Sequence, residues 1–195
     1  MNEADPRVKR TRKLLEAAFM ELLSEKSFQA ISVQEIAERA TLNRATFYAH
    51  FEDKYALADW MLSEQFRGAL ARHLAVDAPY TLDNLHLLIA TACEFVGAFH
   101  GHCAPSAHDL DARLEAKLQE EIETVLRAWL ATRPAVGSAS LAQREVTASV
   151  MSWAIFGTSV EWSRGERSIT ASEWARQVAS ALVSGIAPVT MAEAR

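Results

Sequence analysis

Leu15, Phe19, Leu22 and Leu23 stand at i, i+4, i+7 and i+8, the spacing that gathers apolar side chains on one face of a helix. The pattern predicts a first helix from about Val8 to Ser24, ended by Lys26, Ser27 and Phe28. Ser32, with Glu35 three residues later, makes a capping box. Val33, Ile36, Ala37 and Ala40 follow on one face, so a second, short helix closes near Ala40. After Thr41 and Leu42, Asn43 is the next N-cap candidate, and Leu42 with Phe47 fits a hydrophobic staple. The third helix then runs from Arg44 to about His50. It buries Phe47 with Phe51 and turns Arg44, Ala45 and Tyr48 the other way. Asp53 opens a fourth helix through Trp60, Met61 and Phe66 to about Leu74, and the run Asp77-Ala78-Pro79-Tyr80 breaks it. Further helices are predicted at about 82–99, 110–131, 141–163 and 171–187, with loops or a short extra helix at 100–109 and 132–140.

Composition agrees with this all-α reading. Half of the residues are hydrophobic, and the chain has only 7 glycines and 5 prolines; Ala, Leu, Glu and Arg, strong helix formers, are abundant instead. Two cysteines, Cys93 and Cys103, are too few for a disulfide scaffold and suit a reducing cytoplasm. Charges interrupt every short apolar run from Arg7 to Lys26, so the N-terminus does not read as a signal peptide. Uninterrupted apolar stretches such as Leu87–Ala90 are too short to span a bilayer, and no membrane association is expected. The net charge is −5, which argues against a uniformly basic nucleic-acid binder, but its distribution is uneven. Residues 1–55 carry as many basic as acidic groups, and all the acidic excess lies in 56–195. Arg7, Lys9, Arg10, Arg12 and Lys13 form a basic cluster with no acid among them. Such segregation fits an electrostatic footprint on one part of the chain, and equally a solvated basic arm.

Two short helices joined by a tight turn behind a longer one make a helix-turn-helix. The second helix of such a pair must keep one side free of core residues to enter the major groove, which is about 12 Å wide in B-DNA. Arg44 is placed to offer a bidentate fork to guanine, and Ala45 permits close approach and contact with a thymine methyl. Thr46, Tyr48, His50 and Lys54 carry donors at the reach of phosphate oxygens. Periodicity alone also fits an ordinary helical pair.

The residues narrow the choice. The runs Ile31-Ser-Val-Gln-Glu-Ile-Ala-Glu-Arg-Ala40 and Leu42-Asn-Arg-Ala-Thr-Phe-Tyr-Ala-His-Phe-Glu-Asp-Lys-Tyr-Ala-Leu57 closely resemble the DNA-binding domain of the TetR/AcrR repressors, above all in Thr46-Phe47-Tyr48-x-His50-Phe51-x-x-Lys54. The strong resemblance covers about residues 8–60; Ser152–Gly165 looks like a late helix of some members. It implies that Arg44 and Ala45 read bases, that Tyr48, His50 and Lys54 contact phosphates, that Ser32 meets a phosphate at the start of helix 2, and that Thr46 does either. The family often has Gly in the turn where this chain has Thr41. A positive φ there costs about 1 kcal/mol, so a slightly different turn is expected.

The resemblance further implies a helix-turn-helix domain over 1–55 and a helical effector-binding and dimerisation domain over 56–195. Its implied partners are a pseudo-palindromic double-stranded operator, a second copy of the chain and a small-molecule effector. Val150, Trp153, Gly157 and Val160 with Trp174, Val178 and Leu182 are the expected dimer face, although the same stripe suits an intramolecular core. Phe66, Phe95, Phe99, Trp129, Trp153 and Phe156 are candidate pocket residues, each also a candidate for plain core. His100, His102 and Cys103, near Cys93 and His108, tempt a metal- or thiol-sensing reading, but the spacing is no zinc signature. No cofactor or metal is expected. No Glu-x-x-His, phosphate loop, His-Glu-x-x-His or Gly-x-Ser-x-Gly occurs, so an enzyme is not expected. A helical interaction module without DNA binding is the remaining alternative.

Overall fold

The structure, a computed structural model, describes residues 5–75, 77–102, 108–132 and 141–184. Every regular element among them is helical: α1 Pro6–Glu25, a 3-10 turn Phe28–Ala30, α2 Val33–Arg39, α3 Arg44–Tyr48, α4 Lys54–Ala71, α5 Leu82–His102, α6 His108–Thr132, α7 Leu141–Arg164 and α8 Ala171–Ser184. The chain divides into two compact units, Met1–Glu64 with Gly101–Lys117, and Gln65–His100 with Leu118–Arg195.

In the first unit, α1 starts at Asp5, whose carboxylate accepts from the Arg7 N–H at 2.8 Å, with Pro6 at a position where the missing N–H is harmless. Its buried stripe is Val8, Leu15, Ala18, Phe19 and Leu22. Phe28 seals the end of that stripe, edge-on to Phe19 at 6.0 Å and to Tyr55 at 5.1 Å. The capping box at α2 forms as expected: Ser32 Oγ accepts from the Glu35 N–H and Glu35 Oε2 accepts from the Ser32 N–H. Arg39 clamps the glutamates of α1, bidentate on Glu25 at 2.7 and 2.9 Å and on Glu21 at 3.2 Å. Asp53 caps α4 by accepting from the Ala56 N–H at 2.7 Å. Arg113 on α6 joins this unit through a bidentate pair with Asp59, at 3.0 and 2.8 Å, and lies 4.7 Å from the Tyr55 ring centroid. These contacts tie the start of α6 to the first unit.

The turn between α2 and α3 corrects one expectation. Thr41 does adopt a positive φ, 57°. The Leu42 N–H donates to the Ala37 carbonyl at 2.8 Å and the Thr41 N–H to that of Glu38 at 3.0 Å, the paired bonds of a Schellman ending, which require a left-handed residue at this place. The carbonyls at the end of α2 demand that geometry, and a β-branched residue supplies it under strain.

The second unit packs α5 through Leu85, Leu88, Ile89, Ala92, Cys93 and Val96 against Leu118, Ile122, Leu126 and Trp129 of α6 and Ala148, Met151, Ile155 and Phe156 of α7. Ala171, Ala175 and Ala179 let α8 approach closely. Leu82–Phe99 is long and apolar enough to cross a bilayer by composition, yet these same α5 residues are core. Cys93 is fully buried and donates to Ser159 Oγ; burial pushes its thiol up to about 11, far from thiolate reactivity at neutral pH. Arg67 makes a bidentate pair with the buried Glu121 carboxylate at 2.7 and 2.9 Å. The α7–α8 connection is locked by Trp162 Nε1 donating to Ile169 O and Trp174 Nε1 to Thr158 O, both at 3.0 Å.

Of the pocket candidates, Phe66, Trp129 and Phe156 are buried in this core, while Phe95 and Phe99 are half-buried. Phe66 packs edge-on to Phe95 at 5.5 Å, and Trp129 lies 5.7 Å from Tyr80. Trp153 is no part of an interior lining: it is 59% exposed on an outward stripe of α7 with Val146, Val150 and Gly157. The helical period that buries Ser152 and Ile155 turns it to the outside. Val160, Trp174, Val178 and Leu182 are half-buried. Helix α5 runs on to His102, further than expected; Cys103 and the side chains of His100, His102 and His108 lie outside the described residues. Among the described residues no cluster of His, Cys, Asp or Glu has the arrangement of a metal site.

The left-handed Thr41 yields a stability prediction. Thr41→Asn, a residue that tolerates this conformation, is expected to raise the unfolding free energy by about 1 kcal/mol, read as a higher urea midpoint at unchanged slope. A lower midpoint would show that the threonine side chain contributes more than its strain costs.

Candidate nucleic-acid interface

Helix α3 has only five residues, too few to stand alone. It is fixed from both ends and from beneath. Asn43 Oδ1 accepts from the Thr46 N–H at 2.7 Å and from the Thr46 hydroxyl at 3.0 Å. At the other end the Ala49 and Phe51 N–H groups close on the carbonyls of Ala45 and Phe47. Beneath, Phe47 is fully buried and packs against Phe51, which in turn meets Trp60 at 5.5 Å. The opposite side is left open: Arg44, Ala45 and Tyr48 are exposed, and Thr46 is half-buried because its hydroxyl turns back onto the cap. Arg44 donates to the Tyr48 hydroxyl at 3.1 Å, its guanidinium 5.6 Å from that ring centroid. This i, i+4 contact holds two long side chains side by side on the outer face.

The expected contact residues do not all share that face. Ser32 is exposed at the head of α2, but its hydroxyl is already shared with Glu35, and Glu35 also pairs with Lys26. The Lys26 ammonium and the two Ser32 bonds hold the Glu35 carboxyl down at about 2, so the capping charge is present throughout the neutral range. His50 is half-buried with its Nδ1 enclosed and without a hydrogen-bond partner. Burial first, and the Arg12 charge second, lower its pKa, so it is a neutral imidazole at neutral pH. Arg12 lies over the Phe51 and Trp60 rings at 5.4 and 5.5 Å, an arrangement that sequence periodicity does not reveal. Lys54 departs from expectation. Its ammonium donates to the carbonyls of Phe28, Gln29 and Ile31 at 2.9, 3.0 and 2.8 Å. An ammonium has three donors, so a phosphate contact requires breaking one of these bonds. The basic residues Arg7, Lys9, Arg10 and Lys13 are exposed along the first turns of α1, and Lys13 is tied to Glu16.

Residues 14–60 match the family model for bacterial regulatory proteins, tetR family. Solved structures extend the likeness in fold. A TetR-family regulator from Streptomyces coelicolor A3 superposes with a TM-score of 0.62 at 18% identity, over 93% of this chain and 97% of that one. The dihydroxyacetone kinase operon activator DhaS gives 0.57 at 19%, over 89% and 94%. The transcriptional regulator FadR from Bacillus subtilis, in complex with stearoyl-CoA, gives 0.53 at 16%, over 89% and 98%.

His50 supplies a pH test of the head that does not depend on any partner. Its folded pKa is lowered, so its neutral form contributes stability above the unfolded value of about 6.5. That contribution is lost as pH falls through the lowered folded value. Denaturation midpoints of the chain are therefore expected to fall more steeply as pH drops below about 6.5 than those of His50→Gln; parallel curves would mean that the imidazole is not held neutral by the fold. The head thus carries the sequence pattern of the tetR-family regulatory proteins over residues 14–60, and the chain shares its fold over about nine-tenths of its length with a solved TetR-family regulator.

Proposed function

We propose that this chain is a sequence-specific transcription repressor that binds a pseudo-palindromic operator as a homodimer and leaves it when a small molecule occupies its second unit. The observation that carries the proposal is the division of α3: Phe47 is fully buried while Arg44, Ala45 and Tyr48 are exposed. A helix held by one side with a guanidinium, a methyl and a phenol on the other suits the major groove. Arg44 reads a guanine, Ala45 lets the backbone approach, and Tyr48 and Thr46 bind phosphate oxygens. Ser32 and His50 stand at the margins as further phosphate contacts, each after a small rearrangement of its present bonds. Repression needs only occupancy of the operator, although one solved structure of similar fold is named an operon activator.

Dimerisation is supported by the outward stripe of α7. Val146, Val150 and Trp153 are 62, 62 and 59% exposed, and Gly157 beside them offers no side chain to keep a neighbour away. Apolar surface of this size in one row favours a partner, and an isologous contact of two copies covers it with one symmetry axis. Trp174, Val178 and Leu182 of α8 extend the face. For the effector, the half-buried Phe95, edge-on to Phe66, and the half-buried Phe99 mark where the second unit has aromatic surface without full enclosure. The FadR complex with stearoyl-CoA supports a small-molecule occupant in this fold, and an apolar one suits these aromatics. Ligand that prefers one arrangement of the helices shifts the population away from the operator-competent form.

Selection of bound duplexes from a random pool, at stated salt, tests the reading; two half-sites related by a dyad are expected. On the selected duplex, Arg44→Ala is expected to cost about 1–3 kcal/mol and to relax preference at one position per half-site. Unchanged affinity and preference would remove the base-reading role of Arg44. Val150→Glu combined with Trp153→Glu is expected to convert the dimer to monomer in light scattering while leaving the helical content intact. A dimer that persists would move the interface elsewhere.

A further inference from the structure

All three ammonium donors of Lys54 are engaged within the fold. Its three N–H bonds end on the carbonyls of Phe28, Gln29 and Ile31. The charge also lies 4.8 Å from the Phe28 ring centroid and 5.6 Å from that of Tyr55. Long cationic side chains at a surface ordinarily keep the head in water; this one exchanges hydration for carbonyls and ring faces. Its pKa is lowered by that burial and partly restored by Glu35.

The carbonyls it collects belong to the 3-10 turn and to Ile31, the residue before Ser32. Two main-chain bonds, Ala30 N–H to Ser27 O and Ile31 N–H to Phe28 O, are the turn's own bonds. Carbonyl oxygens pointing at one spot repel one another, and an ammonium placed between them turns that repulsion into three charge-assisted bonds. Lys54 is also the first residue of α4, so a single side chain ties the start of that helix to the segment that delivers the chain into α2.

We infer that Lys54 is a positioning residue for DNA binding rather than a phosphate ligand: its ammonium is an internal cation that sets the Phe28–Ile31 turn, and through it the placement of Ser32 and the helix pair. The inference rests on the DNA-binding reading above. It differs in its consequences from a direct grip. A residue that pairs with a phosphate releases counterions on binding, so its loss lowers the slope of log K against log salt by about 0.9. A positioning residue lowers affinity at an unchanged slope. A flexible direct contact is rescued by Arg, whereas the planar guanidinium fork cannot direct three bonds onto three converging carbonyls.

The experiment uses the full chain with Lys54→Met, which keeps the stem, and Lys54→Arg, which keeps the charge. In the free protein, hydrogen exchange at the Ala30 and Ile31 amides is expected to quicken in both variants while exchange in α7 and α8 stays as in the wild type. On the selected duplex, both variants are expected to bind about tenfold more weakly with the wild-type salt slope. Ser32→Ala is expected to be non-additive with Lys54→Met, since both act on the same segment. Unchanged exchange at Ala30 and Ile31 overturns the inference whichever way the DNA measurement falls. A slope lowered by about 0.9 in Lys54→Met, with full binding in Lys54→Arg, overturns it in favour of a phosphate grip. If the wild-type chain selects no duplex, the DNA-binding reading fails, and the exchange data still decide whether Lys54 holds the turn.

Discussion

The burial of one phenyl ring, Phe47, is the contact on which the head depends. A helix of five residues has almost no stability of its own. What holds it is a single apolar anchor with a cap at each end. Full burial of a phenyl side chain contributes roughly 1.5–3 kcal/mol, more than the helix gains from its own few hydrogen bonds. The rest of the first unit is arranged to receive that ring. Phe51 and Trp60 lie beyond it and Arg12 covers the pair. Ile36 and Ala37 face inward on the bracing helix. Because one side chain anchors α3, the other side is free of core duty, and Arg44, Ala45 and Tyr48 are available to a partner.

The cations of the head fall into two kinds that net charge does not distinguish. Arg44, Arg7, Lys9 and Arg10 are exposed, and their field is what an approaching polyanion meets first. Arg12 and Lys54 are spent on the fold, one over two aromatic rings and the other among carbonyls. A positively charged sequence position is therefore a poor guide to a phosphate contact until its donors have been accounted for.

Much of this was legible in the sequence wherever the controlling interactions are local. The Ser32–Glu35 box, the Asn43 cap and the Asp53 cap each span three residues, and all three form. The helix periods of α1, α5, α6, α7 and α8 follow from apolar spacing in the same way. Legibility ends where the partner is remote or the backbone is strained. Lys54 meets residues 23 or more positions away, in a turn that apolar spacing treats as the ragged end of α1. Arg113 reaches Asp59 across 54 positions. Thr41 is a threonine in a conformation that favours glycine, because the Schellman bonds at the end of α2 outweigh the residue's own preference. Trp153 shows a different limit: residue type alone suggested both an interior lining and an interface, and only the phase of α7 separates the two.

In the DNA-binding reading, the outer face of α3 enters the major groove. Guanine N7 lies on the major-groove edge and adenine N3 on the minor-groove edge, so methylation interference at these two atoms on the selected duplex separates the grooves directly. Strong interference at guanine N7 in each half-site, relieved in Arg44→Ala and absent at adenine N3, is the predicted pattern. Interference confined to adenine N3, or none at either atom, would mean that α3 does not enter the major groove.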